Sequence, residues 1–147
     1  MKALVTGSTG FVGTHLVDHL AAEGDEVVAT SRSTGGPDIR DLAAVTDFVG
    51  DRQPDVVIHL AGQADVGRSW SNPLETIRIN GEGTYNLLVA ARAAGVERVV
   101  TVTSADIYGL ALPGDLPLSE SAPLRPVSPY AVSKALADLV ALQAHLG

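Results

Sequence analysis

The stretch Ala3-Leu-Val-Thr-Gly7-Ser-Thr-Gly10-Phe-Val-Gly13 decides the fold of this chain. Its first four residues form an apolar run typical of a buried strand, and three glycines follow before an amphipathic stretch begins. Glycines in this setting permit a tight turn and let a phosphate approach the backbone amides at a helix N-terminus. The stretch therefore predicts a strand, a phosphate-binding turn and a helix. The alternative is that the glycines serve only to pack the helix against the strand.

Strand-like and helix-like segments alternate beyond this stretch along the whole chain. The strand-like runs are nearly continuous in apolar and β-branched residues, as in parallel strands covered on both faces, and they fall at 3–6, 26–30, 56–60 and 98–103. The helical segments show apolar faces and terminal glycine, serine or proline signals, and they fall at 10–23, 41–51, 72–95 and 128–146. This order predicts an α/β fold with a doubly wound parallel sheet in one domain, residues 1–147.

The composition restricts the classes of function that are open to this chain. The 147 residues carry a formal net charge of −7 and include no cysteine, so nucleic acids are disfavoured as partners and cysteine-bound zinc is excluded. No apolar run approaches the roughly 20 residues of a membrane span. Lys2 leads directly into the first strand and not into a secretory signal, so cytoplasmic residence is expected. His15 and His19 lie one helical turn apart without a third ligand, so no metal site is predicted.

A tyrosine and a lysine lie four residues apart in the last helical segment, which reads Tyr130-Ala-Val-Ser-Lys134. This spacing places both side chains on one helix face, where an ammonium group stabilises a phenolate. The phenol can then serve as a general acid or base. The same spacing alone is common on solvated helix faces, and it gains weight here because the glycine stretch lies upstream.

A second hydroxyl group is expected near the same site. Ser104 follows the fourth strand-like run, and doubly wound sheets bind ligands at the C-terminal ends of their strands. Ser104 is therefore a candidate for polarising a substrate carbonyl, and local capping of the backbone is the alternative. Asp106 is a further candidate acid, although a turn carboxylate is the favoured interpretation.

These motifs together resemble the extended short-chain dehydrogenases that act on nucleotide sugars, namely the epimerases, 4,6-dehydratases and 4-keto-sugar reductases. The resemblance extends over the whole chain, and its matching pieces are the glycine stretch, Asp38-Ile-Arg-Asp41, His59-Leu-Ala-Gly62, Asn80-Gly-Glu-Gly-Thr84, Thr103-Ser104, and the pair Tyr130 and Lys134. Within the family, segments 66–70 and 124–134 look most like GDP-4-keto-6-deoxymannose reductases. GDP-mannose dehydratases and UDP-hexose epimerases come next.

The resemblance implies a Rossmann-type domain that binds NAD(P), and it assigns residues to each part of the cofactor. The implied cofactor-binding residues are Gly7, Gly10, Phe11 and Val12 at the pyrophosphate turn, Asp38 and Ile39 at the adenine, Leu60, Ala61 and Gly62 along the adenosine and phosphates, and Tyr130 and Lys134 at the nicotinamide ribose. The implied catalytic residues are Ser104, Tyr130 and Lys134.

The end of the second strand-like run bears on the choice between NAD and NADP. It reads Ser31-Arg32, with serine where an NAD-preferring site places an acidic residue for the ribose 2′-hydroxyl. NADP is therefore expected over NAD, which stays possible. The alternative is that Arg32 is an ordinary surface arginine.

The function that the resemblance implies is that of an NAD(P)-dependent nucleotide-sugar oxidoreductase. Hydride would be transferred at sugar C4, and Tyr130 would exchange a proton with the C4 oxygen. Family members continue after the fourth helix with further strands and a region that holds the sugar nucleotide. The alternative function is therefore a truncated nucleotide-binding module without independent catalysis.

The expected strand order is 3-2-1-4, which leaves the apolar fourth strand at an unprotected edge of the sheet. Unpaired backbone groups at such an edge favour association with another chain. The third and fourth helices offer a second surface, since related enzymes commonly dimerise through that pair. A homo-oligomer is therefore expected.

Overall fold

A computed structural model describes residues 1–147, and its elements alternate between strand and helix. The strands are β1 (Lys2–Thr6), β2 (Glu26–Thr30), β3 (Val56–His59) and β4 (Arg98–Thr101). The helices are α1 (Phe11–Ala22), α2 (Leu42–Arg52), α3 (Val66–Ser71), α4 (Pro73–Ile77), α5 (Gly83–Ala93) and α6 (Pro129–Leu146). All strand pairs are parallel, which confirms the predicted α/β class and the incomplete doubly wound sheet.

The predicted strand order is wrong in one respect. The observed order is β2-β1-β3-β4, so the third strand lies between β1 and β4 and not outside β2. Residues 31–41, which follow β2, form a short 3-10 turn and irregular loop and add no strand outside β2. Both outer strands show partly exposed residues, whereas most of β1 and β3 is buried. The fourth strand is at the sheet edge, as the sequence predicts.

The helices cover the two faces of the sheet unequally. On one face, α2 and α5 pack on the strands through a buried cluster that includes Val49 and Leu87. On the other face, α1 packs on β1 and β2 through Leu20. Val100 and Val102, at the end of β4, remain 42% and 47% exposed. The sheet therefore has a well-covered half and an open apolar margin along β4.

The single helix predicted over residues 72–95 is divided in the structure. A separate α3 precedes it, capped by the Asp65 carboxylate, which accepts a hydrogen bond from the Arg68 amide. Pro73 begins α4, and a π-helical turn over Arg78–Glu82 joins α4 to α5. Asn80 lies in this widened turn, and its side chain is buried in the protein interior. None of the helices is both long and apolar enough to cross a membrane.

Candidate cofactor and catalytic site

The C-terminal ends of the four strands lie side by side along one edge of the sheet. Thr6 pairs with Thr30 on β2 and with His59 on β3, and His59 pairs with Thr101 on β4. The loops that follow these residues therefore converge, as they must in a parallel sheet. Every site residue predicted from the sequence lies in one of these loops, at the start of α1 or on α6.

The glycine turn, residues 7–13, has the geometry that the sequence predicts. Gly7 has φ +68°, and a Cβ atom there would lie 2.6 Å from the Ala61 amide nitrogen. A Cβ at Gly13 would lie 2.3 Å from the Gly7 carbonyl oxygen. Only glycine fits either position, because a side chain would collide with backbone that cannot swing away. Gly10 is less restricted, since its Cβ would lie 3.2 Å from the same oxygen.

The first turn of α1 leaves its backbone amides free. Gly10 precedes the helix and provides no side-chain cap, and no acidic residue lies in the first turn. Phe11 and Val12 are 85% and 56% exposed, so this end of the helix faces the outside. Free amides at the positive end of a 12-residue helix suit a phosphate group. The arrangement fits the pyrophosphate of a dinucleotide.

A cavity of about 160 Å³ opens beside the glycine turn. Six of the predicted cofactor residues line it, namely Gly7, Arg32, Asp38, Ile39, Ala61 and Gly62. Thr30 also lines it, and the Thr30 Oγ1 atom is buried without a hydrogen-bond partner. A polar atom left unpaired at a cavity wall is what a polar ligand would satisfy. The residues present therefore fit a nucleotide.

The remaining predicted residues lie around this cavity and not on its wall. Gly10, Phe11 and Val12 are at the start of α1. Leu60 is partly buried and packs against the apolar cluster between α1 and the sheet. Tyr130 and Lys134 lie on α6, beyond Gly62.

Asp38 is held ionised at the cavity wall. The Arg40 side chain donates to both of its carboxylate oxygens, with Nε 2.9 Å from Oδ1. Mainly because of these hydrogen bonds, the pKa of Asp38 falls to about 2. The carboxylate is therefore an acceptor at neutral pH. The Arg40 backbone amide also donates to Oδ1 at 3.0 Å, so four hydrogen bonds from Arg40 reach this carboxylate.

A cluster of hydroxyl groups surrounds the start of the 3-10 turn that carries Arg32. Ser33 Oγ lies 3.0 Å from Thr9 Oγ1 and 2.9 Å from Ser31 Oγ. Thr34 Oγ1 lies 3.1 Å from Ser31 Oγ. Arg32 itself is exposed and belongs to none of the ion pairs of the chain. One unpaired guanidinium therefore lies beside neutral donors at this end of the cavity.

Tyr130 and Lys134 lie one turn apart at the start of α6, which Ser128 caps by accepting from the Ala131 amide at 3.1 Å. Lys134 Nζ donates to the Val102 carbonyl at 3.0 Å. A Cβ at Gly62 would lie 3.7 Å from the same nitrogen. Burial lowers the pKa of the Lys134 ammonium. The lysine thus crosses from α6 to the ends of β3 and β4, where the cofactor loops lie.

Ser104 begins the 3-10 turn Ala105–Tyr108, two residues after Val102. Its Oγ accepts from the Asp106 amide at 3.2 Å. The capping alternative therefore occurs in the structure, while the serine hydroxyl proton remains free to donate. Asp106 is an exposed residue in the same turn.

Asn80 links the cofactor loops to α6, a contact that was not predicted from the sequence. Its amide pairs with the Gln63 backbone, accepting from the nitrogen at 2.7 Å and donating to the oxygen at 3.0 Å. It also donates to Ser133 Oγ at 2.8 Å, and Ser133 donates to the Tyr130 carbonyl at 2.6 Å. The available signal was an amide residue within a helical run, followed by Gly81 and Gly83.

No group of three or more histidine, cysteine, aspartate or glutamate side chains is placed to hold a metal ion.

The pattern of the NAD dependent epimerase/dehydratase family matches residues 3–146. The chain belongs to this family. The match includes the glycine turn, the whole of α6 and all four strands except Lys2, the first residue of β1. The resemblance predicted from the sequence is therefore confirmed at the level of the family.

Individual relatives within the family carry different activities. The GDP-6-deoxy-D-mannose reductase of Pseudomonas aeruginosa is 39% identical over 97% of this chain and 46% of its own length. The solved structure of DesIV, a dTDP-glucose 4,6-dehydratase from Streptomyces venezuelae with NAD bound, is 34% identical. It has a TM-score of 0.88 over 99% of this chain and 52% of its own.

Another similar solved structure contains NADPH, where the DesIV structure contains NAD. The structure of RMD from Pseudomonas aeruginosa complexed with NADPH is 36% identical, with a TM-score of 0.83 over 99% of this chain and 49% of its own. The chain spans about half the length of the curated relatives it matches.

Proposed function

We propose that this family member is an NAD(P)-dependent nucleotide-sugar oxidoreductase of the 4-keto-sugar reductase, 4,6-dehydratase or 4-epimerase type. The observation that carries this proposal is the uncapped N-terminus of α1 beside a cavity lined by Arg32, Asp38 and Gly62. The reductase and the dehydratase described above support it by similarity. The experiment that tests it is titration of the chain with NADPH and NADH by calorimetry, followed by turnover assays with nucleotide sugars.

The proposed chemistry assigns roles to three side chains, Tyr130, Ser104 and Lys134. A bound NAD(P) would supply the acceptor or donor of the hydride exchanged at sugar C4. As C4 is oxidised, the Tyr130 phenolate takes the proton of the C4 hydroxyl, and in the opposite direction the phenol returns it to the C4 oxygen. Ser104 donates a hydrogen bond to that oxygen with its free hydroxyl proton. Lys134 holds the ribose and stabilises the phenolate with its ammonium charge.

The proposed preference for NADP rests on Arg32. An exposed guanidinium without a carboxylate partner, beside the hydroxyls of Ser31 and Ser33, suits the 2′-phosphate that NAD lacks. Similarity to one structure holding NADPH supports this choice, while similarity to another holding NAD keeps the second cofactor in the test.

We expect Arg32→Ala to weaken NADPH binding by about tenfold or more and to leave NADH binding nearly unchanged. The reason is that a charge-assisted hydrogen bond contributes about 1.5–3 kcal/mol. Calorimetry with both nucleotides measures the difference. Arg92→Ala, an exposed arginine in the last turn of α5, is the control and should change neither. The proposed preference for NADP would be refuted if the wild type bound NADPH and NADH equally well and Arg32→Ala changed neither affinity.

We also propose that the chain forms a homo-oligomer. The support is an exposed apolar stripe on α6, namely Val132, Leu136, Leu139, Leu142 and Leu146, together with the open edge of β4. Apolar patches of this kind commonly mark interfaces.

Light scattering at micromolar concentration is expected to give a mass of at least two chains for the wild type. Leu139→Glu should shift the mass toward one chain, because a carboxylate cannot be buried unpaired in an apolar contact. Gln143→Glu, one turn further along α6, is the matched control and should have a smaller effect. A wild type that remains monomeric contradicts the proposal.

A further inference from the structure

His59 is a buried histidine at the end of β3 that the proposed chemistry does not use. The residue is 4% exposed, and its Nδ1 lies 2.7 Å from Thr6 Oγ1 on the neighbouring strand. Its Nε2 is buried without a hydrogen-bond partner. Buried polar atoms are normally paired, so an unpaired ring nitrogen in the protein interior indicates that the histidine has a specific role.

Thr6 Oγ1 contacts both the His59 ring and the loop after β3. The Ala61 amide donates to Thr6 Oγ1 at 3.1 Å, so the hydroxyl oxygen acts as an acceptor there. A threonine hydroxyl has a single proton to donate, and His59 Nδ1 is the acceptor within reach. The relay proposed below takes His59 Nδ1 as the acceptor of that proton. This direction places the proton of the neutral ring on Nε2.

The surroundings keep this ring uncharged. Burial, and secondarily the positive charge of Lys134, lower the pKa of His59 to about 4. At pH 5 to 8 the ring therefore stays neutral, and one of its two nitrogens is an acceptor.

The Thr6 hydroxyl in turn fixes the loop that lines the cofactor cavity. Ala61 and Gly62 line this cavity, and Gly7 packs directly on the Leu60–Ala61 peptide. The Ala61 amide nitrogen is the atom nearest to a hypothetical Cβ at Gly7, at 2.6 Å. A small rotation of that peptide would therefore close the space that the glycine turn occupies.

We propose that His59 is a positioning residue for the dinucleotide: by accepting the Thr6 proton, it directs the Thr6 oxygen toward the Ala61 amide and holds the two cofactor loops in register. The inference rests on the proposed function only for the identity of the ligand. The hydrogen-bond relay from His59 through Thr6 to Ala61 is a property of the chain itself.

Two asymmetric substitutions test the relay. In His59→Asn the amide oxygen occupies the place of Nδ1, and in His59→Gln the amide lies near the place of Nε2. We expect His59→Gln and Thr6→Val each to weaken NADPH binding about tenfold, the upper range for one hydrogen bond. His59→Asn should stay within about twofold of the wild type. His19→Gln, at an exposed position on α1, should have no effect.

The relay also predicts coupling between its two members. The double variant Thr6→Val with His59→Gln should bind NADPH about as weakly as either single variant, because both remove the same link. Thermal unfolding of each variant separates this effect from general destabilisation. Affinities of His59→Asn and His59→Gln that are equal, or losses that simply add in the double variant, would overturn the proposal.

Nitrogen NMR of the unliganded wild-type chain tests the tautomer without any substitution. The expected spectrum has His59 Nδ1 at the shift of an unprotonated ring nitrogen and Nε2 at that of a protonated one, unchanged between pH 5 and 8. A proton on Nδ1 would overturn the relay even if every variant failed to fold. If the wild type bound neither NADPH nor NADH, the proposed function would fail while this spectrum still decided the relay.

Discussion

Tyr130→Phe is expected to reduce turnover of a nucleotide sugar by about 10²–10⁴-fold, the usual contribution of a general acid or base. The substitution removes the hydroxyl that exchanges a proton with the C4 oxygen and leaves the ring that packs at the start of α6. Affinity for NADPH should fall far less than turnover, by no more than the roughly tenfold effect of one hydrogen bond. The measurement is the steady-state change in nicotinamide absorbance at saturating nucleotide sugar, with calorimetry for the cofactor.

Lys134→Met should lose activity to a similar extent and should weaken cofactor binding more than Tyr130→Phe does. The reason is that Lys134 Nζ lies close to Gly62 at the cofactor loop. Tyr85→Phe, at a 48% exposed position on α5, is the control. Undiminished turnover in Tyr130→Phe would remove the tyrosine from the mechanism. A wild type that binds NADPH but converts no nucleotide sugar would favour the nucleotide-binding module over the enzyme.

Gly7→Ala is expected to weaken dinucleotide binding on the order of a hundredfold. The added Cβ must adopt φ +68° and would lie 2.6 Å from the Ala61 nitrogen and 2.7 Å from the Leu60 carbonyl carbon. Left-handed backbone costs a non-glycine residue about 1–2 kcal/mol, and forcing the two loops apart adds a cost of about 1–3 kcal/mol. Calorimetry with NADPH measures the loss.

Gly24→Ala separates these two costs. Gly24 has φ +86° and no atom within 4 Å of a built Cβ, so alanine there is strained but does not collide. It should reduce the free energy of unfolding by about 1 kcal/mol and leave NADPH affinity unchanged. If Gly7→Ala binds NADPH as tightly as Gly24→Ala does, the close packing of Gly7 against Leu60 and Ala61, in the loop after β3, has no role in binding.

Arg32 and Asp38 are two cofactor residues predicted from the sequence that lie together in the structure. Asp38 was assigned to the cofactor by resemblance and Arg32 by the missing acidic residue at the end of β2. Both line one cavity with Gly7, although 25 residues or more separate each of them from that glycine. Both could be predicted from the sequence because each belongs to a recognisable feature. Arg32 lies just after the end of β2, and Asp38 begins the short Asp38-Ile-Arg-Asp41 motif. The sequence could not reveal that Arg40 already occupies part of the Asp38 carboxylate.

The sequence by itself determined the features that depend on neighbours along the chain. These are the four strands, the tight glycine turn, the uncapped start of α1 and the placement of Tyr130 and Lys134 on one helix face. Each follows from side-chain periodicity, from the conformational freedom of glycine or from the repeat of the helix, which act over a few residues.

Tertiary structure alone decided how these pieces meet. In the structure, β3 lies between β1 and β4. The loop after β2 contributes no strand, and beside the free edge of β1 the buried valines of β3 are covered on both faces of the sheet. The tertiary structure also paired Thr6 with His59 across 53 residues and Lys134 with the Val102 carbonyl across 32. Such contacts depend on which sheet position is free and on which polar groups burial leaves unpaired, and no local pattern in the sequence carries that information.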